Sequence, residues 1–142
     1  MDGDIRDDND RGDSHTAMEN DDLYKLTFEP SNKYLRVFAT GDLSDPSVRI
    51  EAWKSIIQEC RDLGQSTLLV VQDAVGNKTA MDAYVSSQGI VALGLHGLQI
   101  AFVDLNPVYF ENNQLGELMA NNRGAFAKVF TTEADALDWL NA

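Results

Sequence analysis

The spacing of apolar and polar residues divides residues 23–142 into alternating strand and helix segments. Two runs with an alternating pattern come first, at residues 23–28 and 34–40, with a Pro-Ser-Asn turn at residues 30–32 between them. Because this connection is short, the two runs predict an antiparallel hairpin. Apolar residues then recur at steps of three and four, which predicts a helix containing Trp53, Ile56, Ile57, Cys60 and Leu63.

The rest of the chain repeats a unit of one strand and one helix. Residues 67–71 (TLLVV) and 98–103 are continuous apolar runs, typical of strands that are buried on both faces of a parallel sheet. Capping boxes that begin at Thr79 and Thr132 predict the starts of two helices, and an Asn-Pro pair between them predicts the start of another. Residues 126–130 form a short last strand in this pattern.

These segments predict an α/β fold with the element order β-β-α-β-α-β-α-β-α. Helices between the later strands imply parallel crossovers, so the predicted sheet is mixed and has five strands with about four helices. The helix ends carry matching local signals, with Asp45 before a proline at one start and Gly64 and Gly124 at two ends. The length suits one domain, residues 23–142, preceded by a tail at residues 1–22.

The charge of the chain is concentrated in that tail. The formal charge is −12, and residues 1–22 carry nine acidic residues against two arginines, a net of −7. Dense like charge without aromatic residues predicts disorder for this segment, and an acidic surface disfavours nucleic-acid binding. The tail lacks the pattern of a signal peptide, and the longest apolar stretch, residues 89–95, is too short to span a membrane. We therefore expect a cytoplasmic protein.

The sequence contains no set of residues in the spacing of a known catalytic motif. His15, His96 and Cys60 do not supply the ligands of a zinc site, and the helical spacing around Cys60 predicts a buried thiol. Ser86 and Ser87 lie inside a predicted helix without a glycine elbow, so they do not suggest a serine hydrolase. We therefore predict a protein that is not an enzyme and has no cofactor or metal.

Three aspartates follow predicted strands and give a weaker alternative. Asp42, Asp73 and Asp104 each stand where a strand gives way to a loop, and Asp73 and Asp104 belong to parallel strands whose carboxyl ends share one edge. Carboxylates that converge there would suit Mg²⁺ and phosphotransfer chemistry. The simpler interpretation is that each aspartate accepts the hydrogen bonds of its own turn.

A set of motifs gives residues 23–142 a resemblance to a known family. The motifs are GDL at residues 41–43, Trp53 in the first helix, the buried strand TLLVV, RG at residues 123–124, VFT at residues 129–131 and ALDWL at residues 136–140. In their order and spacing they resemble the SpoIIAA-like branch of the STAS superfamily. The resemblance implies a regulatory or protein-interaction module that works through a protein partner or through self-association.

The same resemblance implies a switch or partner loop at Asp73, Gly76, Asn77 and Thr79. Phosphorylated members of the superfamily have an Asp-Ser-Ser/Ala-Gly motif at the end of the buried strand. This chain has Asp-Ala-Val-Gly at residues 73–76, so the aspartate is present and the serine is absent. Thr79 is the nearest hydroxyl, but a helix cap would have its oxygen occupied by backbone N–H groups.

An apolar stripe supports a second hypothesis, a small carrier that encloses an apolar or lipid-like ligand between the sheet and the helices. Such a ligand, or a partner helix, would contact a groove lined by large side chains. The plain alternative is that these side chains belong to the core. The residues concerned are Tyr84, Phe102, Tyr109, Phe110, Leu115 and Met119.

Overall fold

A single mixed sheet organises the protein in a computed structural model that describes residues 15–19, as backbone, and residues 23–142. The strands lie side by side in the order of the chain, β1-β2-β3-β4-β5-β6. The first three strands pair antiparallel, and β3 to β6 pair parallel. The strand bounds are β1 His15–Glu19, β2 Tyr24–Pro30, β3 Leu35–Asp42, β4 Thr67–Val75, β5 Gln99–Asp104 and β6 Phe126–Phe130.

Four helices connect or follow the parallel strands, and their ends use the predicted signals. Asp45 accepts a hydrogen bond from the backbone N–H of Ser47, and Thr79 and Thr132 cap their helices in the same way. Gly64 ends the first helix in the left-handed conformation, with φ 67°. The helices are α1 Pro46–Leu63, α2 Ala80–Val91, α3 Phe110–Asn121 and α4 Glu133–Asn141, with a 3₁₀ turn at Pro107–Tyr109 before α3.

The helices divide between the two faces of the sheet. The larger core packs α1, α2 and α3 against one face, with fully buried side chains such as Ile56, Leu68 and Val70. The smaller core packs α4 against the other face, where Leu69, Val71, Ala101, Val103 and Ala136 are buried. Adjacent residues of β4 and β5 therefore serve different cores, which explains why both strands read as unbroken apolar runs.

The α/β class, the mixed sheet and the four helices predicted from the sequence are confirmed, and the predicted strands are β2 to β6. The structure adds β1, which lies inside the segment predicted as a disordered tail. Backbone groups alone make the β1–β2 ladder, so apolar alternation is not needed for this strand to form. The remainder of that predicted tail, residues 1–14 and 20–22, lies outside the described residues.

Candidate functional site

A cavity of about 80 Å³ lies between the sheet and the helices α1, α2 and α3. A space of this size corresponds to roughly two or three water molecules. Its polar wall is formed by Arg49, Asn77, Ser87, Asn112 and Asn113, with Glu117 and Lys128 on the side of α3 and β6. Its apolar wall is formed mainly by Trp53, Ile90, Val91, Leu95, Ile100 and Phe102.

Arg49 is the charged side chain most deeply buried in this wall, with 7% of its surface exposed. It lies in the first turns of α1, on the same stripe as the buried Ala52, Trp53 and Ile56. Its guanidinium carbon sits 5.7 Å from the centre of the Phe102 ring, and the Trp53 and Phe102 rings are 6.2 Å apart. The cation thus lies over the Phe102 ring, which in turn contacts Trp53, and a cation over an aromatic face is favoured.

A chain of buried hydrogen bonds connects Arg49 to the start of α3. Nη1 of Arg49 donates to Oε1 of Gln72 at 3.0 Å, and Nε2 of Gln72 donates to Oδ2 of Asp104 at 3.2 Å. Oδ2 of Asp104 also accepts from Asn113 at 2.9 Å, and Oδ1 accepts from the backbone N–H of Asn106 at 3.0 Å. The cluster joins α1, β4, β5 and α3 through polar atoms, whereas the remainder of this core is largely apolar.

Burial governs the protonation of both charged members of the cluster. Loss of hydration lowers the pKa of Arg49 to about 10, and attraction to Asp104 opposes that shift. Burial also raises the pKa of Asp104 above its ordinary value, although the hydrogen bonds from Asn113 and Asn106 and the charge of Arg49 act in the opposite direction. Arg49 therefore remains positively charged at neutral pH.

Two hydrogen bonds and one ring contact hold the loop between β4 and α2 beside the polar wall. The Asn77 side chain donates to the backbone oxygen of Ser44 at 3.2 Å, and Asn112 donates to the backbone oxygen of Asn77 at 3.0 Å. The ring of Tyr109 lies flat against Gly76, where an added Cβ would meet ring atoms at 3.1 Å. The loop is thereby held between the end of β3 and the start of α3.

The four residues predicted as a switch or partner loop lie in different surroundings. Asp73 is exposed and belongs to β4, which extends to Val75 rather than ending before the loop. Gly76 and Asn77 are buried, and only Asn77 of the four lines the cavity. Thr79 is exposed, and its Oγ1 accepts the backbone N–H of Asp82 at 3.0 Å, which confirms its predicted role as a cap.

The six residues predicted to line an apolar groove are also separated. Phe102 is buried and lines the cavity, whereas Tyr84 is 45% exposed on α2 and does not line it. Phe110 borders a separate shallow depression together with Phe130. The other three are half-buried, and they are Tyr109, Leu115 and Met119.

The aspartates at the strand ends do not converge. Gln72 and Asp104 are register partners on β4 and β5 and share one face of the sheet. Asp73, the next residue of β4, therefore points to the opposite face. Asp42 binds the backbone N–H and the hydroxyl of Ser44, as the turn interpretation predicts. Among residues 15–19 and 23–142, no cluster of three or more metal-ligating side chains is found.

The remaining reactive groups lie away from the cavity. Cys60 is fully buried, as predicted, and burial raises the pKa of its thiol to about 12, so the reactive thiolate is not formed at neutral pH. His96 is exposed near the end of α3, where an added Cβ on Gly124 would collide with its ring. Neither side chain lines the cavity.

Two central residues of this site, Arg49 and Gln72, were not singled out from the sequence. For each of them the sequence contains a feature that points to a special role. Arg49 stands four residues before Trp53 on the apolar stripe of its helix, and Gln72 interrupts the end of an apolar strand. A polar residue at a position where the pattern demands an apolar one is the feature that would have identified both.

Comparisons of the chain with protein-family models, with curated proteins and with solved structures give no match. In the described part of the chain, none of the helices combines the length and the apolar character needed to cross a bilayer.

Proposed function

We propose that this protein is a non-enzymatic regulatory module that holds a small organic ligand in the cavity beside Arg49. One observation carries the proposal: a buried cation, two aromatic rings and several amide groups surround a space that no protein atom fills. Well-packed interiors leave few voids, and binding sites combine apolar walls with a few polar groups that fix orientation. The volume suits a small molecule rather than a lipid chain.

The regulatory part of the proposal rests on the connection between the cavity and the surface. Asn77 lines the cavity and also belongs to the loop between β4 and α2, which Asn112 and Tyr109 hold against the start of α3. A ligand that contacts Asn77 or Asn112 changes the contacts of this loop. The ligand and a protein partner would then be coupled through one shared segment.

Exposed apolar side chains around the same loops favour a protein partner there. Large apolar residues are normally exposed singly, but four of them follow or precede the loops after β4 and β5, including Val108 with 74% of its surface exposed. The four are Val75, Met81, Leu105 and Val108. A STAS-type interaction module, which the motifs of the sequence resemble, would use this edge of the sheet for docking.

Native mass spectrometry of the full chain tests the ligand-binding proposal. We expect wild type to retain an added mass below that of a lipid, or to gain one when a mixture of small organic acids and amides is supplied. Ala120→Leu places a larger side chain in the cavity wall and should abolish that binding. Tyr84→Ala is the matched control, because Tyr84 lies on the surface outside the cavity. Retention in Ala120→Leu, or binding by neither wild type nor control, would contradict the proposal.

A further inference from the structure

We infer that the ligand of this cavity is a small organic carboxylate, with Arg49 as the group that recognises its carboxylate oxygens. The inference rests on the proposed function, since it assumes that the cavity binds a ligand, and it adds the chemical class. A guanidinium presents N–H donors in a planar fork that matches two carboxylate oxygens. Arg49 lines the cavity and is held in place by Gln72 and by the face of Phe102.

The charge around Arg49 favours an anion. Within residues 23–142, no carboxylate lies within ion-pair distance of Arg49, and its nearest acidic neighbour in the cluster, Asp104, is reached through Gln72. Asp104 does not line the cavity, and its oxygens are engaged by Gln72, Asn113 and the backbone of Asn106. A buried cation without direct compensation is costly, so an anion that enters the cavity would be stabilised by it.

Two other ionisable residues line the cavity, and neither forms an ion pair with Arg49. Glu117 accepts the backbone N–H of Val129 at 2.8 Å, which fixes its carboxylate towards β6. Lys128 is exposed, and its amine lies 6.0 Å from the centre of the Phe130 ring. Like Phe130, Lys128 lies on the α4 face of the sheet, so its amine points away from the cavity. Arg49 and Glu117 are therefore the charged groups presented to the cavity, and they are not bonded to each other.

The size and walls of the cavity define the remainder of the ligand. An apolar cavity of about 150 Å³ accommodates benzene with its six non-hydrogen atoms, so in proportion a space of 80 Å³ suits a molecule of roughly three or four. Trp53, Ile100 and Phe102 would contact a short hydrocarbon part such as the methyl group of acetate. Each of the three asparagines donates one of its two amide N–H groups to a protein oxygen, which leaves the second N–H group as a donor for an oxygen of the ligand.

Isothermal titration of the full chain with matched acids and amides tests the inference. The probes are acetate, propionate and butyrate, each compared with the corresponding neutral amide of the same shape. We expect at least one acid to bind about tenfold or more tightly than its amide, because hydrogen bonds to a charged group are stronger than those to a neutral one. Arg49→Met should remove this preference, and Lys54→Met should retain it, since Lys54 is an exposed cation of the same helix that does not line the cavity.

The outcomes separate this inference from the proposed function. If acids and amides bind equally to wild type, the cavity binds small molecules but the carboxylate inference is wrong. If neither class binds in the titration, and wild type shows no bound mass that Ala120→Leu abolishes in native mass spectrometry, both the inference and the proposed function fail. The comparison within wild type does not depend on any variant, so it remains decisive even if Arg49→Met does not fold. Circular dichroism of each variant establishes which of them are folded.

Discussion

The two faces of the sheet are filled in different ways. Against α4 the buried side chains among residues 23–142 are apolar, and the ion pairs of Arg36 with Glu133 and Glu29 lie at the half-buried margin. Against α1, α2 and α3 the core contains the cluster of Arg49, Gln72 and Asp104 beside a cavity. Buried charges and unfilled space do not in themselves stabilise a fold. The face that carries both is therefore the face on which a binding function is to be sought.

The largest expected effect comes from breaking the polar cluster at its centre. Gln72→Leu keeps the size of a 2% exposed side chain but removes the acceptor for Arg49 and the donor for Asp104. Arg49 and Asp104 would each lose a buried hydrogen bond, so we expect the free energy of unfolding to fall by about 3 kcal/mol. Urea denaturation followed by circular dichroism measures this change.

A second variant distinguishes a loss of partners from a simple loss of packing. Arg49→Met combined with Gln72→Leu removes the buried cation, while Asp104 keeps its bonds to Asn113 and Asn106. We expect this double variant to be more stable than Gln72→Leu alone, because an apolar pair replaces an unpaired charge. A double variant less stable than the single one would show that the cluster itself stabilises the fold. The polar face could then not be distinguished from the apolar face by its lack of a stabilising role.

A matched pair of alanines compares the packing of the two faces directly. Ala136 on α4 is fully buried in the apolar core, whereas Ala120 on α3 is buried beside the cavity. Ala136→Leu overfills a packed site and should lower the free energy of unfolding by about 2 kcal/mol. Ala120→Leu has space to enter, so we expect a change smaller than about 1 kcal/mol. Equal losses in the two variants would mean that the cavity is not available to a side chain.

Local signals explain how much of this fold could be predicted from the sequence. The caps at Asp45, Thr79 and Thr132 and the stop at Gly64 depend on backbone groups within one turn, so the residues on either side of them are sufficient. The strand β1 was missed because its ladder depends on the backbone of β2 and not on an apolar pattern of its own. Pairing through the backbone groups of the neighbouring strand leaves no apolar pattern in the sequence of β1 itself.

The candidate site could be predicted only in part, for a related physical reason. Arg49 and Gln72 are 23 residues apart, and their contact depends on how α1 packs over β4. The contact of Gln72 with Asp104 depends on the register of β4 against β5, and a shift of one residue would have placed Asp73 there instead. The sequence shows that each residue interrupts an apolar pattern, but it does not show that these interruptions meet.

A smaller effect is expected at Ser86, a buried polar residue of α2 that is not part of the cluster. Its hydroxyl is buried and has no hydrogen-bond partner among residues 23–142. Ser86→Ala removes this unpaired group and favours the helix, so the free energy of unfolding should rise by up to about 1 kcal/mol. Thr79→Ala is the control, since loss of that cap should cost about 1 kcal/mol. A destabilised Ser86→Ala protein would show that the hydroxyl has a partner, such as a buried water.

The smallest expected effect is electrostatic and has opposite signs on the two faces. The Arg36 guanidinium holds the pKa of Glu133 below its ordinary value, whereas burial raises the pKa of Asp104 above its own. Carboxyl titration followed by ¹³C NMR should show the two shifts in opposite directions, with Asp104→Asn and Glu133→Gln identifying the signals. Shifts in the same direction would contradict the contrast between a buried and a marginal carboxylate.

The same two groups should make opposite contributions to stability as the pH changes. For Glu133 the folded state binds fewer protons than the unfolded state, so its contribution is present above the ordinary pKa of 4.5 and is lost as pH falls through the lower folded value. For Asp104 the folded state binds more protons, so stability falls as pH rises from the ordinary value towards the raised one. Because Glu133 is partly exposed, its contribution should be below about 1 kcal/mol. Urea denaturation of Glu133→Gln from pH 3 to pH 6 should therefore differ from wild type more at pH 6 than at pH 3, since only the ionised carboxylate pairs with Arg36.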